Sequence, residues 1–152
     1  MITFHHPIYS MAKGRDSTSL RDLWKPVLDR HRVDLVLTGH DHTYGRSGLP
    51  ASETNVPAGT STRSAEAGTV YVVSVTGPKM YELAPDPHIG IRRVAENTQL
   101  YQIVSIDGPV LRYQAHTATG DLYDAFTLRK RASARNEMIE QVPEAPERRR
   151  GQ

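Results

Sequence analysis

Four of the seven histidines in this 152-residue chain fall in two short segments, His5-His6 and His40-Asp41-His42. Neutral imidazole is the commonest nitrogen ligand for zinc, iron and related ions. Imidazoles two residues apart, just past a strand, can face one pocket, and Gly39 before them lets the backbone turn tightly without a Cβ clash. Three such histidines are enough to hold one metal ion but not two. The spacing therefore predicts a metal site built from two loops.

A strand, a helix and a second strand position these loops. Residues 1–4 have the character of a strand, which Pro7 ends because proline removes a backbone donor. Residues 17–32 show helical spacing with a serine or threonine cap, and Pro26 predicts a kink or a break. Residues 33–38 are mostly apolar with β-branched side chains, which predicts a largely buried strand. In such a right-handed βαβ unit the loops after both strands meet at one edge of the sheet, where open α/β sheets bind ligands.

The remaining segments predict a mostly β structure. Residues 39–68 are rich in Gly, Ser, Thr and Pro, which predicts a long loop, and residues 79–97 are expected to be irregular. Further predictions are a strand at 69–75, an antiparallel meander of strands at 99–106, 110–117 and 122–128, and a short helix at 133–142. The apolar stripe of the first helix is expected to be core; it comprises Leu20, Leu23, Trp24, Val27 and Leu28.

Composition excludes several classes of function. The chain has no cysteine, so disulfides, thiolate metal sites and cysteine nucleophiles are ruled out. The sequence contains no run of about 18 apolar residues and therefore predicts no membrane-spanning helix. The formal charge of +2 arises from residues 129–152, which carry a net +3, whereas residues 1–128 carry a net −1. Glutamates among the basic residues of that tail weaken a nucleic-acid interpretation.

Two motifs carry a resemblance to a known family. Phe4-His-His-Pro-Ile-Tyr-Ser10, followed by Leu37-Thr-Gly-His-Asp-His-Thr-Tyr-Gly-Arg46, resembles the last two motifs of the calcineurin-like metallophosphoesterases, most closely the purple acid phosphatases. The strand at Gly68–Pro78 and the closing segment around 101–127 are similar as well. The resemblance covers roughly residues 1–128 and implies an α/β fold, the C-terminal part of a four-layer αββα sandwich. Residues 129–152 are then expected to be a charged, disordered tail.

The resemblance also implies roles for individual residues. His5 and His40 would bind one metal ion and His42 the other, with iron, zinc or manganese as the family's metals. His6 would be the catalytic residue of this chain or support the ligands, and Tyr44 and Arg46 would bind substrate or support the metal loop. The implied reaction is acid phosphatase-like hydrolysis of phosphate monoesters or diesters by a metal-bound hydroxide at a dinuclear centre.

The family's carboxylate ligands are missing from these motifs. The family takes them, with an asparagine ligand and a catalytic histidine, from DxH, GDxx and GNH motifs upstream of the histidine-proline segment. No such motif precedes His5, and Asp86-Pro87-His88 and Gly120-Asp121 match two patterns by chance. Asp34 and Asp41 are not expected to substitute.

The sequence therefore predicts the C-terminal half of a metallophosphoesterase, with a small phosphoester as substrate and an N-terminal half as partner. The relatives are commonly exported, so an extracytoplasmic parent protein is expected. Two other function classes stay open. One is an inactive remnant, and the other is a binding module built on the meander, with the basic tail engaging an acidic partner.

Overall fold

A computed structural model describes residues 1–47, 63–85 and 90–150. The described residues form a mixed α/β structure with one helix and ten strands in two sheets. In chain order the elements are β1 (Ile2–Phe4), α1 (Thr18–Arg30), β2 (Leu35–Thr38), β3 (Tyr44–Ser47), β4 (Arg63–Ala67), β5 (Val70–Val73), β6 (Ile91–Ala95), β7 (Leu100–Asp107), β8 (Val110–Thr117), β9 (Leu122–Arg129) and β10 (Asn136–Glu140).

The first sheet carries the histidine loops. Its strand order is β1-β2-β5-β3-β6, and β1, β2 and β5 run parallel to one another. The predicted βαβ arrangement of β1, α1 and β2 is thus confirmed. Along β5 the side chains alternate, so that Val70 and Val72 face the second sheet while Tyr71 packs towards α1.

The second sheet has the order β4-β10-β9-β8-β7 and is antiparallel throughout. Strands β7, β8 and β9 are the predicted meander. The main core lies between the two sheets, where Leu35 and Tyr44 pack with Tyr113 and Phe126. Tyr113 and Phe126 stack with ring centroids 4.7 Å apart. The structure therefore has two facing sheets with α1 on the outer face of the first.

Several sequence predictions for individual segments are wrong. β3 and β4 lie inside the expected loop at 39–68, and β6 lies inside the expected irregular segment. The helix expected at 133–142 is instead strand β10, which pairs with both β4 and β9. Part of the expected tail is therefore built into the second sheet, while a domain boundary at residue 128 stays a prediction.

Helix α1 runs continuously through Pro26, so the predicted break is wrong and the alternative of a kink stays a prediction. The helix can continue because Pro26 and Asp22 are both exposed and water can satisfy the carbonyl that the proline leaves without a donor. The apolar stripe is not all core: Leu28 is 1% exposed, but Leu23 is 67% and Trp24 43% exposed. The helix buries the face with Leu28 against Val36, and Trp24 stacks at the rim on Phe4, 6.0 Å between ring centroids.

Within the described ranges, α1 is too short and too polar to cross a membrane.

Candidate active site

Parallel pairing of β1 and β2 brings the two histidine loops together, as predicted. Phe4 is the register partner of Thr38, so the chain leaves both strands at the same edge. Just beyond that edge the Gly39 N–H donates to the carbonyl of His5 at 3.1 Å. This bond holds the two loops side by side, although 35 residues separate His5 from His40 in the sequence.

Three of the predicted site residues form one cluster of imidazole rings. The ring centroids of His5 and His40 are 4.9 Å apart, those of His6 and His40 are 4.2 Å apart, and those of His5 and His6 are 5.1 Å apart. His40 Nδ1 lies 3.1 Å from His5 Nε2, so one of these nitrogens donates to the other. The ring nitrogens of His6 have no hydrogen-bond partner among the described residues. His6 is thus the ring of the cluster in which both nitrogens are free to contact a ligand.

The tight turn of this loop is made at His40 rather than at Gly39. His40 has a φ of 65°, which is a left-handed conformation. This conformation is energetically unfavourable for any residue other than glycine. A Cβ at Gly39 would meet no atom within 4 Å, so the expectation that glycine is needed there to avoid a clash is wrong. The left-handed residue itself carries the ring that contacts His5 and His6.

Arg15 joins the cluster, although sequence reasoning missed it. Its Nη2 contacts His40 Nε2, its Nε donates to the Asp41 carboxylate at 3.0 Å, and its guanidinium carbon lies 4.8 Å from the centroid of the Tyr81 ring. Burial lowers the pKa of His40, and the nearby positive charges of His6 and Arg15 lower it further. Nothing in the local sequence around Arg15 marks this role, because its partner Asp41 lies 26 residues away.

His42 lies on the same loop but makes its contacts elsewhere. Its Nδ1–H donates to the Lys79 carbonyl at 2.8 Å, and its ring lies 4.7 Å from that of Tyr81. In the neutral ring this bond leaves Nε2 with a free lone pair. A backbone carbonyl bonded to one ring nitrogen is the usual support for a histidine that binds a metal through the other.

Tyr44 and Arg46 are fully buried between the two sheets. Arg46 donates from Nε and Nη2 to Asp124 at 2.6 and 2.9 Å, and from Nη1 to Glu140 at 2.9 Å. Tyr44 donates to the same Asp124 at 2.7 Å; burial raises its pKa and this carboxylate raises it further. With no exposed surface, the two side chains favour the supporting role over contact with substrate.

The carboxylates weighed in the sequence lie away from the ring cluster or are already engaged. Asp41 is buried, and its carboxylate accepts hydrogen bonds from the Ser10 hydroxyl and from Arg15 Nε. Asp34 lies at the opposite end of β2, where Lys130 and Asn136 donate to it. Asp121 lies in the turn between β8 and β9, as expected. Asp86-Pro87-His88 falls outside the described residues.

The implied metal centre can be tested against this arrangement. The ring nitrogens are donors of the right chemical kind, but both nitrogens of His40 are engaged, by His5 and Arg15, and His42 is bonded apart from them. Within residues 1–47, 63–85 and 90–150, no group of three or more His, Asp or Glu could hold a metal ion. The described residues by themselves therefore do not fit a dinuclear centre.

Comparison with known proteins gives the fold and leaves the family open. No protein-family model matches the chain. Two uncharacterised proteins, from two strains of Mycobacterium tuberculosis, are each 34% identical to it over 83 residues, which is 48% of this chain and 16% of each relative. Among solved structures, a purple acid phosphatase isolated from yellow lupin (Lupinus luteus) seeds superposes with a TM-score of 0.64 at 20% identity, over 86% of this chain and 24% of that one.

This chain shares its fold with part of that purple acid phosphatase. That likeness extends over 86% of this chain, yet the chain spans only about a quarter of the lupin enzyme and about a sixth of the mycobacterial relatives. An identity of 20% establishes shared architecture rather than shared chemistry.

Proposed function

We propose that this chain forms part of a phosphoesterase that hydrolyses phosphate monoesters or diesters. The observation that carries the proposal is the convergence of His5, His6 and His40 at the carboxyl ends of two parallel strands, on a fold shared with a purple acid phosphatase. Ligand sites of α/β proteins lie at this edge of the sheet. Purple acid phosphatase-like hydrolysis is the activity that this combination supports best.

In the proposed enzyme His5, His40 and His42 would hold the metal ions together with ligands from elsewhere, and His6 would be the catalytic residue of this chain. Hydrolysis forms a bond between phosphorus and a water oxygen, breaks the bond to the alcohol oxygen, and moves a proton from that water to the alcohol. His6 has no partner among the described residues and so can donate to a phosphoryl oxygen or to the departing alcohol. Tyr44 and Arg46 anchor the strand after the GHDH loop by their bonds to Asp124.

The proposal includes a second polypeptide segment that supplies the carboxylate ligands. The described residues hold no complete metal-binding group, and the carboxylates closest in sequence, Asp34 and Asp41, are bonded to other groups. Such a segment would carry the DxH, GDxx and GNH motifs of the family. The metal ions would then be bound by the assembled protein, and their identity would be iron, zinc or manganese.

The alternative of a binding module with a free basic tail has less support. Arg149 pairs with Glu147 at 2.9 Å, Arg150 pairs with Glu82 at 2.9 Å, and Arg148 donates to Thr98 at 3.2 Å. These guanidinium groups are engaged by the same chain and are not arranged to capture an acidic partner.

The test is hydrolysis of p-nitrophenyl phosphate and bis(p-nitrophenyl) phosphate with added iron, zinc or manganese. The chain is assayed alone and together with a polypeptide that carries the three upstream motifs. We expect hydrolysis only in the mixture, and a loss of about 100-fold or more in kcat for His6→Ala, His40→Ala or His42→Ala. His31→Ala, at the exposed C-terminal cap of α1, is the matched control and should stay within twofold.

Each outcome bears on one part of the proposal. Hydrolysis by the chain alone would overturn the proposal that a second segment is needed and would support the phosphoesterase activity. Absence of hydrolysis in both samples, or equal activity of the His40 and His31 variants, would overturn the phosphoesterase.

A further inference from the structure

A cavity of about 400 Å³ opens beside the imidazole cluster and is lined by two chemically different groups of side chains. His6, His40 and Arg15 form the polar group, and Leu20 and Leu23 of α1 form the apolar group. Its volume lies within the range of small-molecule sites. The proposed reaction assigns a role to the imidazoles but none to Arg15 or the leucines.

Every charged group that lines the cavity is a base. Arg15 carries a permanent positive charge, His6 has ring nitrogens without a partner among the described residues, and Ser17 and Ser19 add hydroxyl groups. Asp41, which pairs with Arg15, is buried, and its two oxygens are taken by Arg15 and Ser10. Asp16, next to Arg15 in the sequence, is not among the lining residues and pairs with Arg21 at 2.8 Å. A ligand therefore meets hydrogen-bond donors and no carboxylate among the lining residues, which favours an anion.

Arg15 is held in place before any ligand arrives. Its Nε is bonded to Asp41 at 3.0 Å and its guanidinium lies over the Tyr81 ring at 4.8 Å. Its Nη1 has no partner among the described residues. A guanidinium fixed by a buried carboxylate can offer its free N–H groups to a phosphoryl group at little further entropic cost.

The apolar lining includes a side chain that the fold leaves in solvent. Leu23 is 67% exposed and packs in no described core cluster, while Leu20 is only partly buried. Both are one helical turn apart on α1 and line the cavity together. An apolar group of a ligand would cover them.

We propose that this cavity binds a phosphate monoester of an aromatic alcohol, with Arg15 donating to the phosphoryl oxygens and Leu20 and Leu23 contacting the ring. The inference rests on the proposed function, because the same phosphoryl group would lie against His6. It goes further in naming Arg15 as the anion-binding residue and α1 as the element that selects the alcohol.

The test measures binding without turnover, on the full chain in the presence of a metal chelator. The probes are phenylphosphonate and methylphosphonate, which carry the same anionic head and differ in the apolar group. Isothermal titration calorimetry should show phenylphosphonate binding about 5- to 10-fold more tightly. Arg15→Ala should weaken both probes at least 10-fold, and Arg15→Lys should restore binding in part because it keeps the charge but not the fork of donors.

Leu23→Ala provides the second arm and should weaken phenylphosphonate about threefold while leaving methylphosphonate unchanged. Two control variants each remove a comparable side chain outside the cavity, one charged and one apolar. Lys13→Ala removes a positive charge whose side chain is 68% exposed, and Val27→Ala removes an exposed apolar group from α1 outside the cavity lining. Both should bind as the wild type does. Because Leu23 is exposed, its replacement leaves the fold intact.

The outcomes separate this inference from the proposed function. Equal affinity for the two probes, or wild-type binding by Arg15→Ala, overturns the inference whatever the hydrolysis assay gives. Binding with the expected pattern, but no hydrolysis with metals and the second segment, keeps the cavity as an anion site and overturns the phosphoesterase.

Discussion

Asp41 organises the candidate site although it binds no proposed ligand itself. Its side chain is completely buried, and it accepts from Arg15 Nε at 3.0 Å and from the Ser10 hydroxyl. The carboxylate thereby ties the loop after β1 to the loop after β2. It also fixes the cation that faces His40.

Asp41→Asn should lower the free energy of unfolding by about 2 kcal/mol, because Arg15 loses its charged partner and a buried hydrogen-bond arrangement is disrupted. Urea denaturation followed by circular dichroism measures this. Asp29→Asn is the control: its pair with Lys25 is exposed at the helix surface, and the expected change is less than about 0.5 kcal/mol. Equal effects of the two substitutions would show that Asp41 is not a structural anchor.

At the scale of elements, helix α1 has a buried edge and an exposed face. Ser17 caps it by accepting from the Leu20 N–H at 3.4 Å, and Leu28 packs with Val36 and Tyr71 of the first sheet. Val27, next to Leu28 in the sequence, is 44% exposed. The rotation of the helix therefore decides which apolar residues stabilise the fold and which remain free to contact a ligand.

Leu28→Ala should destabilise the chain by about 2–4 kcal/mol, since it leaves a cavity between α1 and the sheet. The neighbouring Val27→Ala should lower the free energy of unfolding by less than about 0.5 kcal/mol, because the side chain is exposed and alanine favours a helix slightly more than valine does. Thermal and urea unfolding of the pair give the comparison. A larger loss for Val27→Ala would mean that the helix is rotated relative to the position described.

The sequence predicts elements whose signals are local. The helix, β1, β2 and the meander were all found because apolar periodicity, caps and turn residues lie within each segment. Strands β3, β4, β6 and β10 were missed because each interrupts its apolar pattern with charged residues, among them Arg46, Arg93 and Glu140. These charges are buried only because their partners lie on distant strands.

The same reason explains what could be predicted of the candidate site. His5 and His40 are brought together by the parallel pairing of β1 and β2. The βαβ topology is enough to predict this convergence. Arg15 lies on an irregular segment between β1 and α1, and its placement depends on the buried carboxylate of Asp41. No local pattern reports such a long-range ion pair.

At the scale of the whole molecule, one ionic network joins the two sheets. Arg46 of β3 pairs with Asp124 of β9 and Glu140 of β10, and Arg92 of β6 also pairs with Glu140 at 3.0 Å. Glu140 thus bridges two strands of the first sheet from the second. Desolvation of the carboxylate by burial would raise the pKa of Glu140, but the charges and hydrogen bonds of Arg46 and Arg92 outweigh it and hold the pKa below its ordinary value.

The lowered pKa of Glu140 predicts a specific dependence of stability on pH. In acid, near and below the ordinary glutamate value of about 4.5, the unfolded chain binds a proton that the folded chain does not. This contribution to the free energy of unfolding is present at neutral pH and is lost as the pH falls through the folded pKa. Glu140→Gln should therefore lower the free energy of unfolding by about 2–4 kcal/mol at pH 7 and make its decrease in acid shallower, as urea unfolding from pH 7 to 3 would measure.

Glu66→Gln is the control. Its carboxylate is 63% exposed, so the substitution should change the free energy of unfolding at pH 7 by less than about 0.5 kcal/mol. An unchanged acid slope in Glu140→Gln would mean that the carboxylate does not join the sheets as described.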